Sequence, residues 1–283
     1  MPTYTTAPAL DLPLPTLADL FTRSFAGYFV PINMTAPALA GMFRRDGIDL
    51  SASRVLLADG KPVGFGLIAR RGWTSRLAAM GIVESWRGKG AGKYLLGELL
   101  RESRERGEHG MVLEVIAQNV NAIRLYENAG FKKVRKLIGL TLNNPPTQTA
   151  SPLTEVDIRL VANLITQHGL ADLPWQMSGE TVATFGPPFR AYQLGAAYAV
   201  ITNPEAETIS IWTLLVEPSA RRKGEATRMI QALLAAHPRK NWHVSAIVPE
   251  ETIRPLEKVG FTRDELSQFQ MKLDYHASQT LHS

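Results

Sequence analysis

Cysteine is absent from all 283 residues. That excludes disulfides, thiolate metal sites and a cysteine nucleophile. It fits a reducing compartment, and the cytoplasm is the expected location. Apolar runs of the ~20 residues a membrane span needs are also missing. Residues 1–20 carry prolines and acids instead of a basic start followed by an apolar stretch, so no signal peptide is expected. Histidine is sparse, and His109, His168, His237 and His243 show no metal-ligand spacing, so no metal is expected. Basic residues form no long run and do not alternate with aromatics, which argues against a nucleic-acid partner.

What is present is the balance of a globular protein, 45% hydrophobic and 20% charged, so long disorder is not expected. The length suits two domains. Charge is uneven between them. Residues 1–142 hold 19 basic against 12 acidic side chains, whereas residues 143–283 hold 12 against 14. A positive first half suits an anionic ligand. Between the halves, residues 143–152 lack periodicity and are rich in proline and small polar residues, the composition of a linker.

Hydrophobic periodicity predicts helices over 17–25 and 37–45, then strands over 54–58, 62–69 and 77–83, the first two joined by Asp59-Gly60. A helix over 90–106, a strand over 111–116, a helix over 120–129 and a strand over 131–142 complete an α/β order with a mixed sheet. After the linker the order returns: a helix over 155–168, strands over 191–194, 197–201 and 208–216, a helix over 225–236, a strand over 242–248 and a helix over 251–259. Val83-Glu-Ser-Trp-Arg87-Gly-Lys-Gly90 is answered by Val216-Glu-Pro-Ser-Ala-Arg221-Arg-Lys-Gly224, and Gly130-Phe131 by Gly260-Phe261. The sequence reads as a duplicated domain, 1–142 and 153–283.

Arg87-Gly-Lys-Gly-Ala-Gly-Lys93 lies between a strand and a helix. Glycines at alternate positions allow close backbone approach, and a helix start offers unpaired N–H groups, so the segment suits a pyrophosphate. The P-loop spacing fails, because the residue five before Gly92 is Arg87 and Lys93 is followed by Tyr94. The dinucleotide spacing fails too, since Gly88-x-Gly90 leads to Lys93. Arg-x-x-Gly-x-Gly remains, as Arg87, Gly90 and Gly92.

That pattern resembles the pyrophosphate motif of the GNAT superfamily of N-acetyltransferases. Glu114, Asn119, Ala122, Tyr126 and Gly130-Phe131 are similar, at matching spacing, to the C-terminal signature of its bacterial members. The resemblance implies two tandem domains, each a mixed twisted sheet flanked by helices. It implies acetyl-CoA held by Arg87, Gly88, Lys89, Gly90, Ala91, Gly92 and Lys93. Its pantetheine arm would lie against Gly81, Ile82 and Val83 and bond Asn119. It further implies Glu114 as general base and Tyr126 as general acid toward the departing thiolate, with the amine of a small molecule or peptide attacking directly in a ternary complex. Residues 25–33 would line the acceptor pocket or pack the core.

From the residues alone, Asn119 is a natural helix N-cap, Tyr126 suits a core aromatic as well as an acid, and Glu114 interrupts an apolar strand at an energetic cost unless something uses it. In the second half, alignment on Gly260-Phe261 puts Leu256, Pro249 and Val244 at the three chemical positions, and Ala226 replaces Gly92. Glu225 would repel a pyrophosphate there. The second domain is expected to keep the fold without the chemistry. Partners expected are acetyl-CoA and an amine, with no nucleic acid and no membrane, in a monomer whose domains form a pseudo-dimer or in a homodimer. A non-catalytic acyl-CoA-binding module is the alternative.

Overall fold

The computed structural model describes residues 3–145 and 151–275, so the expected linker falls partly outside the described residues. The chain forms two units that do not coincide with its two halves. The first takes the described residues up to 115, 119–134 and those from 270 onward; the second takes 116–118 and 135–269. Each unit therefore contains a strand segment from the other half of the sequence.

In the first unit the elements are β1 (Tyr4–Pro8), α1 (Leu14–Ser24), α2 (Ala36–Asp46), β2 (Ile48–Ala58), β3 (Lys61–Arg71), β4 (Thr74–Ile82), α3 (Ala91–Glu105), β5 (Gly110–Ile116) and α4 (Val120–Asn128). Strands β1 to β4 pair antiparallel in sequence order, and β4 pairs β5 in parallel, giving the mixed sheet. Asp59 and Gly60 both have positive φ, 49° and 75°, as the tight turn of a β2–β3 hairpin requires.

Helices cover both faces, which alternate residues of β3 show directly. Phe65 stacks on Phe21 of α1 at 4.8 Å between centroids. The next residue, Gly66, faces α3, and a Cβ there would sit 2.5 Å from Leu99. Leu95, Leu96, Leu99 and Leu100 of α3 are buried as a stripe. The α2 boundaries follow from capping: the Thr35 hydroxyl accepts from Ala38 N at 3.3 Å, and Gly47 closes the helix at φ 68°.

The second unit contains the 135–142 part of β6 (Lys132–Leu142), β7 (Thr154–Val156), α5 (Ile158–His168), α6 (Gly179–Val182), β8 (Arg190–Leu194), β9 (Ala197–Ile201), β10 (Thr208–Val216), α7 (Glu225–Ala236), β11 (Asn241–Pro249), α8 (Arg254–Lys258) and the 262–269 part of β12 (Thr262–Asp274). Here β10 pairs β11 in parallel, whereas β9–β10, β6–β11, β7–β8 and β8–β9 pair antiparallel. Trp242, Val244, Ile230, Leu233 and Leu140 form its core.

The repeat holds in detail. Pairing slips by one residue between Leu77 and Ala79 of β4, and again between Ile211 and Thr213 of β10. Arg87 Nε donates to Ile82 O at 3.0 Å, and Arg221 Nε to Val216 O at 3.1 Å. Val83 therefore answers Glu217 and not Val216, one residue from the match suggested by the sequence.

Three other expectations change. β1 was not anticipated, because five residues ending in proline show no period. The helix expected over 155–168 begins later: Thr154–Val156 is a strand, and Asp157 caps α5 by accepting from Arg159 N at 2.8 Å. The helix expected over 251–259 shortens to α8, with a 3-10 turn over Glu250–Thr252 before it. Among the described residues no helix is long and apolar enough to cross a membrane.

Candidate active site

The site in the first unit begins where a ladder stops. β4 and β5 are in register only from Thr74↔Gly110 to Leu77↔Leu113, while β4 runs on to Ile82. Val83 N donates to Val63 O at 2.9 Å, back toward β3. Backbone direction alternates along a strand, so the Ile82 N–H points the other way, past the end of the β4–β5 ladder. Of the N–H groups of Ile82 and Val83, Val83's is engaged and Ile82's faces the gap. Gly81 is glycine for a packing reason: a Cβ would lie 2.7 Å from Ser24 Cβ on α1.

The glycine loop follows. Gly88 and Gly90 take φ of +73° and +84°, the left-handed region where a side chain strains the backbone. Gly90 is the N-cap of α3 and supplies no side-chain cap. The first helical bond runs from Tyr94 N to Gly90 O at 3.0 Å. The N–H groups of Ala91, Gly92 and Lys93 precede that bond and have no acceptor within the helix. They converge with the positive end of the α3 dipole, which together form an anion cradle. Gly92 faces Leu125 and Met80, at 3.5 and 3.7 Å from where its Cβ would stand. Ala91 is buried, and Lys93 is exposed.

Arg87 fixes this loop with its side chain. Besides Ile82 O, its guanidinium donates to Ser24 O and Ala26 O, both at 3.0 Å. It ties the end of α1 to the end of β4, and it does so with the group that could have met a phosphate. Lys89 stands over the Trp86 ring at 5.3 Å, and its carbonyl accepts from the Tyr4 hydroxyl at 3.1 Å.

Glu114 is not on an open strand end. Its side chain is 3% exposed and lies 2.8 Å from Arg76 Nε on β4; the Arg76 side chain is 5% exposed. Asp46 of α2 lies 3.8 Å from the Arg76 guanidinium and is as deeply buried. Arg45 approaches Asp46 from the solvent side at 2.9 Å. The burial penalty on the Glu114 carboxylate is thus offset by a buried cation.

Asn119 caps α4, accepting from Ala122 N at 3.2 Å. Its side chain is also hydrogen-bonded to the Tyr28 hydroxyl. Tyr126 is 8% exposed and packs edge-on against Phe131 at 5.8 Å. Burial, and to a lesser extent Tyr28, push the Tyr126 hydroxyl well above the usual phenol range. Tyr28, Asn119 and Tyr126 therefore form one cluster. Of the segment expected at the acceptor pocket, Phe25 stacks on Phe21 in the core, while Phe29 is exposed.

Arg76 and Asp46 were not foreseen, and Tyr28, within the 25–33 segment expected at the acceptor pocket or in the core, was not foreseen beside Asn119. A signal for Arg76 existed: a lone arginine interrupts β4 just as a lone glutamate interrupts β5, and opposite charges in adjacent strands pair. The Tyr28 contact had no local signal, being 91 residues from Asn119 in the sequence.

The second unit lacks these groups. Leu256 stands where Tyr126 does, since Phe131 N and Phe261 N bond Tyr126 O and Leu256 O alike. By strand register Ser245, and not Val244, answers Glu114, because Thr208 pairs Asn241 as Thr74 pairs Gly110. Among the described residues no group of His, Asp or Glu could hold a metal ion.

Residues 15–131 match the acetyltransferase (GNAT) family model. A 76-residue stretch is 36% identical to a streptothricin acetyltransferase from Streptomyces lavendulae, spanning 26% of this chain and 40% of that protein. The chain thus covers less than half of that relative. Its fold is similar to a GCN5-related N-acetyltransferase from Sphaerobacter thermophilus, with TM-score 0.68, 15% identity and coverage of 96% of this chain and 95% of the other. It is similar as well to a tandem GNAT protein from the clavulanic acid biosynthesis pathway, with TM-score 0.63, 14% identity and coverage of 97% and 98%.

Proposed function

We propose, from the match of residues 15–131 to the acetyltransferase (GNAT) family model, that the first unit transfers acetyl from acetyl-CoA to a primary amine of a small molecule or peptide. The observation that carries this reading is the pairing of an anion cradle with a sheet gap. The first-turn N–H groups of α3, those of Ala91, Gly92 and Lys93, adjoin the point where the β4–β5 ladder ends. A pyrophosphate suits the first and a pantetheine arm the second. Gly88 to Lys93 would hold the pyrophosphate, and Gly81, Ile82, Val83 and Asn119 the arm. Arg87 would keep the loop's shape and leave its backbone to the ligand. Bound acetyl-CoA would supply the thioester carbonyl.

Glu114 takes the amine proton, directly or through water. Arg76, at 2.8 Å, fixes the position of its carboxylate. The Ile82 N–H stabilises the oxyanion. Tyr126, its pKa raised, stays protonated at every working pH, so it acts as a hydrogen-bond donor to the developing thiolate. With no cysteine in the chain, an acetyl-cysteine intermediate is excluded and transfer is direct.

The test is thiol release from acetyl-CoA against a panel of amines, including aminoglycoside-like, amino acid and peptide N-terminal amines. Turnover with any of them that falls in Tyr126→Phe supports the proposal. Tight acetyl-CoA binding without turnover on any amine would favour the non-catalytic binding module.

A further inference from the structure

A cavity of about 620 Å3 lies in the second unit, between the end of β10, the loop into α7, and the β11–α8 connection. That size suits a small-molecule site. Its position repeats that of the first unit's cradle, but its lining does not. Arg222, at φ +62°, holds the left-handed place of Gly88, and Ala226 holds that of Gly92. Glu225 stands in the first turn of α7. Side chains now occupy the places where bare backbone would approach a pyrophosphate.

Three features define what replaces it. Leu170, Leu173, Met177 and Leu214 give the cavity apolar walls. Thr213 also lines it, is 5% exposed, and has an Oγ1 with no hydrogen-bond partner among the described residues. The same position in the first unit, Ala79, is apolar, so the hydroxyl is particular to this cavity. A buried hydroxyl without a partner is costly, and a ligand oxygen would relieve that cost. At the rim, Arg222, Arg254 and Lys258 have no ion pair among the described residues. The rim's carboxylates are already engaged, Glu225 by Arg228 at 2.9 Å and Glu251 by Arg135 at 3.2 Å. The rim is therefore positive on balance.

We propose that this cavity is a second ligand site, separate from the acetyl-CoA cradle, for a small carboxylate with an apolar body that carries one oxygen. The carboxylate meets the rim cations, the body lies against the leucines and Met177, and the oxygen accepts from or donates to Thr213. The duplicated cleft has exchanged a thioester for an amphipathic acid.

Isothermal titration of the full chain, first saturated with coenzyme A, tests this with octanoate, octanol and a set of oxo-octanoates. One equivalent of carboxylate is expected to bind, with octanol weaker than octanoate. An oxo-octanoate should bind about fivefold to tenfold more tightly than octanoate, the worth of one hydrogen bond. Thr213→Val should erase that advantage while leaving turnover in the first unit unchanged. Arg254→Glu with Lys258→Glu should weaken both acids. If coenzyme A itself does not bind, the same titrations into the chain alone are read in the same way. Absence of carboxylate binding, equal affinity for octanol and octanoate, or two equivalents of coenzyme A with the acids displaced would each overturn the proposal.

Discussion

Glu114→Gln is the most informative perturbation. The change is isosteric and removes one charge from a buried pair whose partners are 3% and 5% exposed. Arg76 then loses its nearest counter-charge and keeps only Asp46, at 3.8 Å. Removing one member of a buried pair costs about 3–5 kcal/mol. The retained amide oxygen and Asp46 pull the expectation to the lower end, about 3 kcal/mol. Urea denaturation of the full chain measures this, and Arg76→Met with the double variant completes a cycle. The double variant is expected to be more stable than Glu114→Gln alone, because the orphaned guanidinium is gone. Turnover supplies the second readout. If Glu114 accepts the proton, Glu114→Gln loses rate at every pH, whereas Arg76→Met retains a pH-dependent rate. A stability loss below about 1 kcal/mol, with coupling inside the about 0.5 kcal/mol scatter of independent sites, would refute the buried-pair reasoning. Wild-type turnover in Glu114→Gln would refute the base.

Other outcomes follow from the same geometry. Tyr126→Phe should lower kcat by about a hundredfold with unchanged acetyl-CoA affinity. Because the hydroxyl's pKa is raised, the deficit should be constant from neutral to alkaline pH; a deficit confined to high pH would contradict the donor role. Gly90→Ala, at φ +84°, should cost about 1–2 kcal/mol in the left-handed region and raise KM for acetyl-CoA more than it lowers kcat, as steady-state kinetics would read. Burial pushes Glu108 up, but hydrogen bonds from Arg106, Ser103 and Ser75 outweigh it, leaving its pKa below the usual range. Its contribution is therefore complete above the ordinary carboxylate pKa and lost as pH falls through the depressed folded value. Glu108→Gln should flatten the acid limb of a stability-versus-pH curve, and an unchanged limb would count against the assignment.

The loop and the α4 signature were legible because their meaning is local. Glycine at 88 and 90 is favoured by the left-handed backbone there, and Asn119 caps the helix it precedes. The duplication was legible for the same reason, since Arg87 and Arg221 close the same turn in each copy. What escaped depends on chain segments distant in sequence. Asp46 reaches Arg76 from α2, and Tyr28 reaches Asn119 from the loop after α1. Such contacts follow from how α1 and α2 sit on the sheet, which periodicity does not encode. The cavity of the second unit escaped for another reason: the loss of glycine, Asn and Tyr marks a missing chemistry, while a lone threonine in an apolar strand carries no signal until its hydroxyl is found without a partner.

Residues 270–275 belong to the first unit although they come from the second copy: Tyr275 N donates to His109 O at 2.9 Å, its hydroxyl donates to Ser103 Oγ at 2.9 Å, and Leu273 packs where Gly130 leaves room. Residues 135–142 are lodged with the second unit in return. Inheritance of the two copies is thereby coupled. A copy without counterparts of Glu114, Asn119 and Tyr126 would ordinarily be free to be deleted, yet here its last strand is part of the other copy's framework. Selection on the first site alone is enough to retain the whole duplicate, and a retained duplicate with a vacated cleft is free to take up a new ligand.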